Sequence, residues 1–269
     1  MKILKRVLGA LVLSCSWAAG ATQLWLEPVT GMPFVALPKG CFQMGSAKPV
    51  APPADTMWNE LGYKGSLSDN EKPRHEVCVD AFMLGQYEVR LAEWQQVMGA
   101  ATGAGAAMPV VQVTWEQAQA FVQRLNQLTN SGQRFRLPTE AEWEYACLAG
   151  QAELDTFDFQ GKDLVANYGH GSSSEHAHRI AATGMKKANA WGLHDLLGNV
   201  WEWAADSYFA DGYARHTLHN PRVDTPSDAR VIRGGSFRTE AAQVRCTRRG
   251  HLPATQALDS LGLRLVREK

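Results

Sequence analysis

The sequence lacks the features that mark nucleic-acid-binding and membrane-spanning proteins. Lysine plus arginine and aspartate plus glutamate each number 27 in 269 residues, so the formal net charge is zero. The chain also has no basic tract of five or more residues that could form a positive surface for a phosphate backbone. No apolar run reaches the roughly 20 residues needed to cross a bilayer. We therefore expect no nucleic-acid partner and no transmembrane span.

Internal repeats and linkers rich in proline or serine are also missing. Without a repeat of about 20 to 50 residues, solenoid and propeller folds are excluded. Without a linker, nothing in the composition divides the chain into two domains. Nine tryptophans favour one large core instead. We expect one domain, residues 22–269.

The first residues predict an export signal. A basic stretch ending at Arg6 precedes the apolar run 7–13, and small residues follow it, which is the order found in secretory signal peptides. Residues 19–21 supply a cleavage site of the A-x-A type, so the predicted signal peptide is 1–21. A less well-matched lipoprotein box ends at Cys15. We expect a periplasmic or secreted protein, with lipid anchoring at Cys15 as the alternative.

Cysteine is scarce, with five in the chain. An even number follows the predicted signal, and in an oxidising compartment this favours two disulfides, among three connectivities, over free-thiol chemistry. The four residues are Cys41, Cys78, Cys147 and Cys246.

Local patterning predicts few regular elements. Apolar and polar residues alternate over 31–41 and 75–89, as in half-buried strands, and 32–37 is the first of these. Residues 47–70 have no period and predict a long surface loop. After residue 150, only 231–233 and 262–266 predict strands.

Two helices have start signals that can be read directly. Thr114 precedes an apolar helical repeat and has Gln117 three residues on, and Thr139 precedes a second helix with Glu142 at the same spacing. Both pairs are capping boxes, in which each side chain binds the other's backbone N–H. The first helix should stop at 130–132, and the second should run to residue 150.

Five segments resemble, in order, the motifs of the formylglycine-generating enzyme (sulfatase-modifying factor) family. They are GCFQMG at 40–45, the 75–89 segment ending in GQYEV, RLPTEAEWEYA at 136–146, GLHDLLGNVWEW at 192–203, and RGGSF at 233–237 with RCTRR at 245–249 and GLR at 262–264. The resemblance implies a compact α+β domain related to C-type lectins, with little regular structure, stabilised by calcium and disulfides. The family includes copper- and oxygen-dependent oxidases that make formylglycine, a periplasmic oxidase of pyoverdine maturation, sulfur-inserting iron enzymes, and members without known chemistry.

The copper site that the resemblance implies has no counterpart here. The family places two thiolates, soft ligands that suit Cu(I), between the Gly-Gly-Ser strand and the Arg-Cys motif. In this chain that segment, 237–244, contains no cysteine, and Thr239 and Ala241 stand roughly where the pair would fall. We therefore expect no formylglycine generation by the usual mechanism, and we assign no redox metal.

The remaining cysteines match structural positions. The resemblance implies a Cys147–Cys246 bridge, and Cys41 and Cys78, at the ends of two early strands, most simply pair with each other. A second family bridge is replaced by the apolar residues Val122 and Leu265.

A calcium site is implied by residues matching two side-chain ligands and two backbone carbonyls, which are hard oxygen ligands. The alternative is that the two acidic residues only cap turns beside Trp201 and Trp203. The four residues are Asp195, Gly198, Val200 and Glu202.

Three residues match or lie beside positions that line the family's substrate groove: Trp201, Ser236 and Arg248. Two further clusters have competing interpretations. The histidines His170, His176 and His178 could gather a metal or belong to a solvated loop. The group Arg245, Arg248, Arg249 and His251 could bind an anion or form ion pairs with Asp206, Glu240 or Asp259.

Two functions follow from these patterns. The first is an exported oxidase or modifying enzyme that acts on a peptide or protein in the periplasm without the copper cysteine pair. The alternative is a non-catalytic, calcium-stabilised binding or accessory module of the cell envelope.

Overall fold

Short strands and a few helices form an α+β fold with little regular structure, as expected. The computed structural model describes residues 24–46, 70–99, 105–129, 132–151, 179–239 and 243–268. Within these ranges the strands are β1 (Leu24–Leu26), β2 (Pro33–Leu37), β3 (Gly40–Met44), β4 (His75–Val79), β5 (Phe82–Gly85), β6 (Phe135–Arg136), β7 (Trp201–Ser207), β8 (Ala229–Arg233), β9 (Arg249–Pro253), β10 (Leu261–Leu263) and β11 (Val266–Arg267). The helices are α1 (Leu91–Met98), α2 (Trp115–Thr129) and α3 (Glu140–Leu148).

The strands form three sheets. A five-stranded sheet has the order β1-β2-β5-β11-β6, a four-stranded sheet has the order β10-β7-β8-β9, and β3 pairs with β4 alone. Most pairings are antiparallel, but β10 runs parallel to β7. The chain therefore passes from the four-stranded sheet to the five-stranded sheet between β10 and β11, at residues 264–265.

Both predicted capping boxes are confirmed. The Gln117 N–H donates to Thr114 Oγ1 (3.1 Å) and the Thr114 N–H donates to Gln117 Oε1 (2.9 Å). Thr139 and Glu142 make the same exchange at the start of α3. Cap side chains lie close in sequence to the N–H groups that they satisfy, so these helix starts can be read from the sequence.

Several elements were missed. All seven residues of β7 are buried, including its polar residues, so the strand has no solvent-facing side that a polar pattern could mark. β9 begins with the charged Arg249, and β1 lies directly after the predicted signal. Helix α1 begins after Arg90, which is not a usual cap residue, and its Glu93 accepts a hydrogen bond from the Arg90 N–H (2.7 Å).

The core consists of two hydrophobic clusters. One surrounds α3 and includes Trp143 and Cys147, and the other lies between α2 and the two larger sheets. Val122 and Leu265 are both buried in the second cluster, so apolar packing stands at the two positions that match the second family bridge. Neither α1, α2 nor α3, the helices in the described part of the chain, is long and apolar enough to cross a membrane.

Both expected disulfides are present. Cys41 and Cys78 face each other across β3 and β4, with their Cα atoms 3.9 Å apart. Cys147, in α3, is bonded to Cys246 with a Cα separation of 5.6 Å. Cys41 is exposed, whereas Cys147 and Cys246 are buried. The described residues therefore contain no free thiol.

Candidate calcium site and substrate groove

Three buried carboxylates lie near the connection between the two larger sheets. Glu88 follows β5, Asp195 lies in the loop before β7, and Glu202 is in β7; none is more than 1% exposed. Arg264, in the β10–β11 connection, pairs with Glu202 (Nη2–Oε1 2.8 Å). The described residues form no salt bridge to Glu88 or Asp195. Three carboxylates with one paired guanidinium leave an excess of buried negative charge, which favours a bound cation or proton uptake.

Arg264 holds this region together through its other donors. Its Nη1 donates to the carbonyls of Gly85 and Gln86 (2.9 and 3.0 Å), and its Nη2 also donates to the carbonyl of His194 (2.8 Å). A single buried guanidinium therefore links the end of β5 with the loop that carries Asp195. Glu202 receives a further hydrogen bond from Trp143 Nε1 (2.8 Å).

Asp195 has one oxygen available for a ligand. Its Oδ2 accepts the Gly184 N–H (2.6 Å), whereas its Oδ1 is buried without a hydrogen-bond partner. Burial raises the pKa of Asp195 to about 6, and nearby Glu202 also raises it, against the Gly184 hydrogen bond and Arg264. Such an unsatisfied buried oxygen costs free energy unless it binds a cation or a proton.

Glu88 is the site residue to which the sequence assigned no role. Its Oε2 accepts the Asn199 Nδ2–H (2.7 Å) and its Oε1 accepts the Val200 N–H (3.2 Å). Burial raises its pKa well above the usual value, and Asp195 and Glu202 raise it further, against Arg264 and Asn199. The available signal was an acidic residue beside the apolar Val89 at the end of the 75–89 motif.

The chemistry of these residues suits a calcium ion, although both Glu202 oxygens already accept hydrogen bonds from Arg264 or Trp143. Asp195 Oδ1 is an unpaired hard ligand, and Glu202 and the carbonyls of Gly198 and Val200 lie in the same segment. In the described ranges, no three His, Cys, Asp or Glu side chains gather into a metal site. Side chains alone therefore do not form the site, and the two backbone carbonyls that the resemblance implies would have to complete it.

The three expected groove residues are buried, with exposed fractions of 1% for Trp201, 1% for Ser236 and 2% for Arg248. The Arg248 guanidinium lies over the Trp201 ring, 5.3 Å from its centroid, and donates to the Gln243 carbonyl (2.9 Å). The Ser236 hydroxyl accepts the Arg238 N–H (3.1 Å). The structure thus brings Arg248 and Trp201 together. Arg248 and Ser236 form hydrogen bonds to neighbouring backbone groups of the protein itself.

The described start of the segment that stands in place of the copper site forms a tight turn over residues 236–239. Thr239 is fully buried, and its Oγ1 accepts the Ser236 N–H (2.9 Å). Gly235 has a φ of +78°, and an added Cβ would lie 3.1 Å from that same oxygen. Ala241 and Glu240 lie outside the described residues, as do His170, His176 and His178.

Two arginines of the cluster form internal ion pairs, with partners other than Asp206 and Asp259; the third expected partner, Glu240, lies outside the described residues. Arg249 pairs with Glu140 and Arg245 with Glu71. Asp206 instead accepts the backbone N–H groups of Glu140 (2.8 Å) and Val223 (2.9 Å), and Asp259 pairs with Arg238. His251 stacks on Tyr208, with ring centroids 3.8 Å apart.

A second buried network was also missed. Arg233 donates to Glu140 Oε1 (3.0 Å) and Glu144 Oε2 (2.5 Å), and Tyr213 donates to Glu144. All nine residues of α3 are buried, although a surface helix usually buries one stripe. The repeated acidic residues of α3 were the signal, because buried acids require cationic partners.

The chain is similar to known proteins over most of its length. A family profile described as "Sulfatase-modifying factor enzyme 1-like domain" matches residues 26–269. The chain is 31% identical over 230 residues to the formylglycine-generating enzyme of Mus musculus, covering 78% of this chain and 58% of that protein. It is 33% identical over 200 residues to "Inactive C-alpha-formylglycine-generating enzyme 2" of Bos taurus, covering 65% and 56%. The chain thus spans less than two thirds of both relatives.

A solved structure shares the fold. PvdO from Pseudomonas aeruginosa superposes with a TM-score of 0.75 at 24% identity, covering 92% of this chain and 98% of that one.

Proposed function

Because the chain belongs to the sulfatase-modifying factor enzyme 1-like family, we propose that it is an exported modifying enzyme that acts on a peptide or protein without a copper-binding cysteine pair. One observation carries this proposal. The family domain extends over residues 26–269, while Cys41, Cys78, Cys147 and Cys246 are all held in disulfides. A family scaffold whose four mature cysteines all lie in disulfides supports chemistry that does not use copper thiolates.

Export is supported by the first 21 residues and by the two disulfides. Disulfides persist in oxidising compartments such as the bacterial periplasm and are rare in the cytosol. We place the protein in the periplasm or outside the cell, with a lipid anchor at Cys15 as the alternative. Mass spectrometry of the mature N-terminus distinguishes a start at residue 22 from a lipidated Cys15.

Oxidation of the substrate is the proposed chemistry, and the redox cofactor is not assigned. The test is oxygen consumption by the purified mature protein with peptide substrates, together with elemental analysis. Oxygen uptake that depends on a stoichiometric redox metal would support an oxidase. Copper-dependent conversion of a peptide cysteine to formylglycine would contradict the proposal.

Calcium is the proposed structural ion, held by Asp195, Glu202 and the carbonyls of Gly198 and Val200. A ligand that binds only the folded state stabilises it by about 2.7 kcal/mol at a concentration 100 times its Kd. We expect a calcium chelator to lower the unfolding temperature and added Ca²⁺ to restore it. An unfolding temperature that does not respond to chelator or Ca²⁺ would exclude the site.

A non-catalytic binding module is the second candidate. The burial of Trp201, Ser236 and Arg248 favours it, because none of these side chains offers an open reactive group. A bovine relative is itself named inactive. If elemental analysis finds calcium without a redox metal and no oxygen is consumed, this second function is the better account.

A further inference from the structure

We infer that Glu88 is the positioning residue of the proposed calcium site, holding the 195–202 loop in its ion-binding conformation. This inference rests on the calcium site proposed above. It gives a role to a buried side chain from outside the loop.

Glu88 fixes one peptide unit in the middle of that loop. The Val200 N–H of the 199–200 peptide donates to Glu88 Oε1 (3.2 Å), and the carbonyl of the same peptide, on Asn199, accepts the Phe237 N–H (2.7 Å). A peptide unit is planar, so binding both ends fixes its orientation. The carbonyls of Gly198 and Val200, the two proposed backbone ligands, lie on either side of this fixed peptide.

The loop needs such support because its backbone is unusual. Asp195, Gly198 and Asn199 have φ values of +59°, +100° and +53°. The left-handed conformation costs a residue other than glycine roughly 1–2 kcal/mol. Glu88 Oε2 binds the Asn199 side chain as well (2.7 Å), while Asn199 Oδ1 accepts the Ala181 N–H (3.1 Å). Asn199 is therefore held in this conformation by three separate parts of the chain, through Glu88, Ala181 and Phe237.

The chemistry requires a carboxylate at this position. Both Glu88 oxygens accept N–H groups, so the position needs two acceptor oxygens. A glutamine would present its NH₂ group to one of the two donors. Replacing a residue that does not bind the metal but orients its ligands typically lowers the metal affinity by about 10–100-fold.

The test compares Glu88→Gln with a matched control, Glu93→Gln. Glu93 is also a buried glutamate that accepts a backbone N–H, but its donor is Arg90, at the start of α1 rather than in the 195–202 loop. Calcium affinity is measured by calorimetric titration with CaCl₂, and unfolding temperature is measured with Ca²⁺ and with chelator. We expect Glu88→Gln to weaken calcium binding by about 10–100-fold and Glu93→Gln to leave it unchanged.

The outcomes separate the two proposals. Calcium binding by the wild type with an equal affinity in Glu88→Gln would overturn the role of Glu88 and leave the site intact. An absence of calcium binding in the wild type would overturn both. Should Glu88→Gln fail to fold, amide hydrogen exchange of the wild type decides: slow exchange at Val200 supports the role of Glu88, and fast exchange there overturns it.

Discussion

The guanidinium of Arg249 forms a two-pronged ion pair with the carboxylate of Glu140, with Nε–Oε1 at 2.6 Å and Nη2–Oε2 at 2.9 Å. Both side chains are 1% exposed. Burial alone would raise the pKa of Glu140, but Arg249 and Arg233 outweigh burial and lower it. The carboxylate is therefore held ionised between two arginines from neighbouring strands, β8 and β9, which ties α3 to the four-stranded sheet.

Replacing Glu140 with glutamine should be strongly destabilising. The substitution leaves Arg233 and Arg249 buried with too little compensating charge, and removing one partner of a buried ion pair typically costs about 3–5 kcal/mol. Glu76→Gln is the control, because Glu76 is exposed on β4. Urea unfolding measures both variants. A loss of less than about 1 kcal/mol in Glu140→Gln, the value typical of exposed pairs, would show that the network contributes little.

The two disulfides should differ in their reaction with reductant. Thiol exchange requires access to a sulfur atom, and Cys41 is exposed whereas Cys147 and Cys246 are each 2% exposed. We expect a small thiol reductant to reduce Cys41–Cys78 before Cys147–Cys246 under native conditions. Alkylation of the freed thiols and peptide mapping measure the order. Simultaneous opening of both bridges would indicate that reduction follows global unfolding instead.

The sequence predicted the features whose determinants are local. The caps at Thr114 and Thr139 depend on residues three positions away. The order of the five family motifs along the chain indicated the fold. The contacts around Glu88 could not be predicted, because its partners Asn199 and Val200 lie 111 and 112 residues away. Burial of the groove residues depends in the same way on how separate segments pack. The repeated acidic residues of α3 are a local sign of a buried polar network, but they do not tell which residues the network joins.

The pH dependence of stability should include a contribution from Asp206. Burial, and after it the neighbouring Glu140 carboxylate, raise the pKa of Asp206 to about 7, against the opposing effect of the Val223 and Glu140 N–H groups. The folded state then binds more protons than the unfolded state between pH 4 and 7, taking the ordinary aspartate pKa of about 3.9. This contribution stabilises the fold fully at low pH and is lost as pH rises through about 7.

Asp206→Asn isolates that contribution. The variant should be less stable by roughly 1–3 kcal/mol at acidic pH, because its NH₂ group faces one of the two backbone donors. Its stability should also fall less than that of the wild type between pH 4 and 7. Urea unfolding at several pH values measures both effects. Parallel pH profiles for the two proteins would show that Asp206 does not titrate in this range.

The turn at 236–239 should depend on a hydroxyl group, whereas the family's copper site needs thiols there. Thr239 Oγ1 accepts the Ser236 N–H inside the protein, so Thr239→Val leaves that N–H unpaired and should cost about 1–3 kcal/mol. Thr239→Ser keeps the acceptor and is the matched control, expected to lose less. Thermal unfolding of the two variants gives the comparison. If valine is tolerated as well as serine, the hydrogen bond does not hold the turn. If only valine destabilises, Thr239, which stands roughly where the family resemblance places a copper-binding cysteine, serves the fold through its oxygen atom.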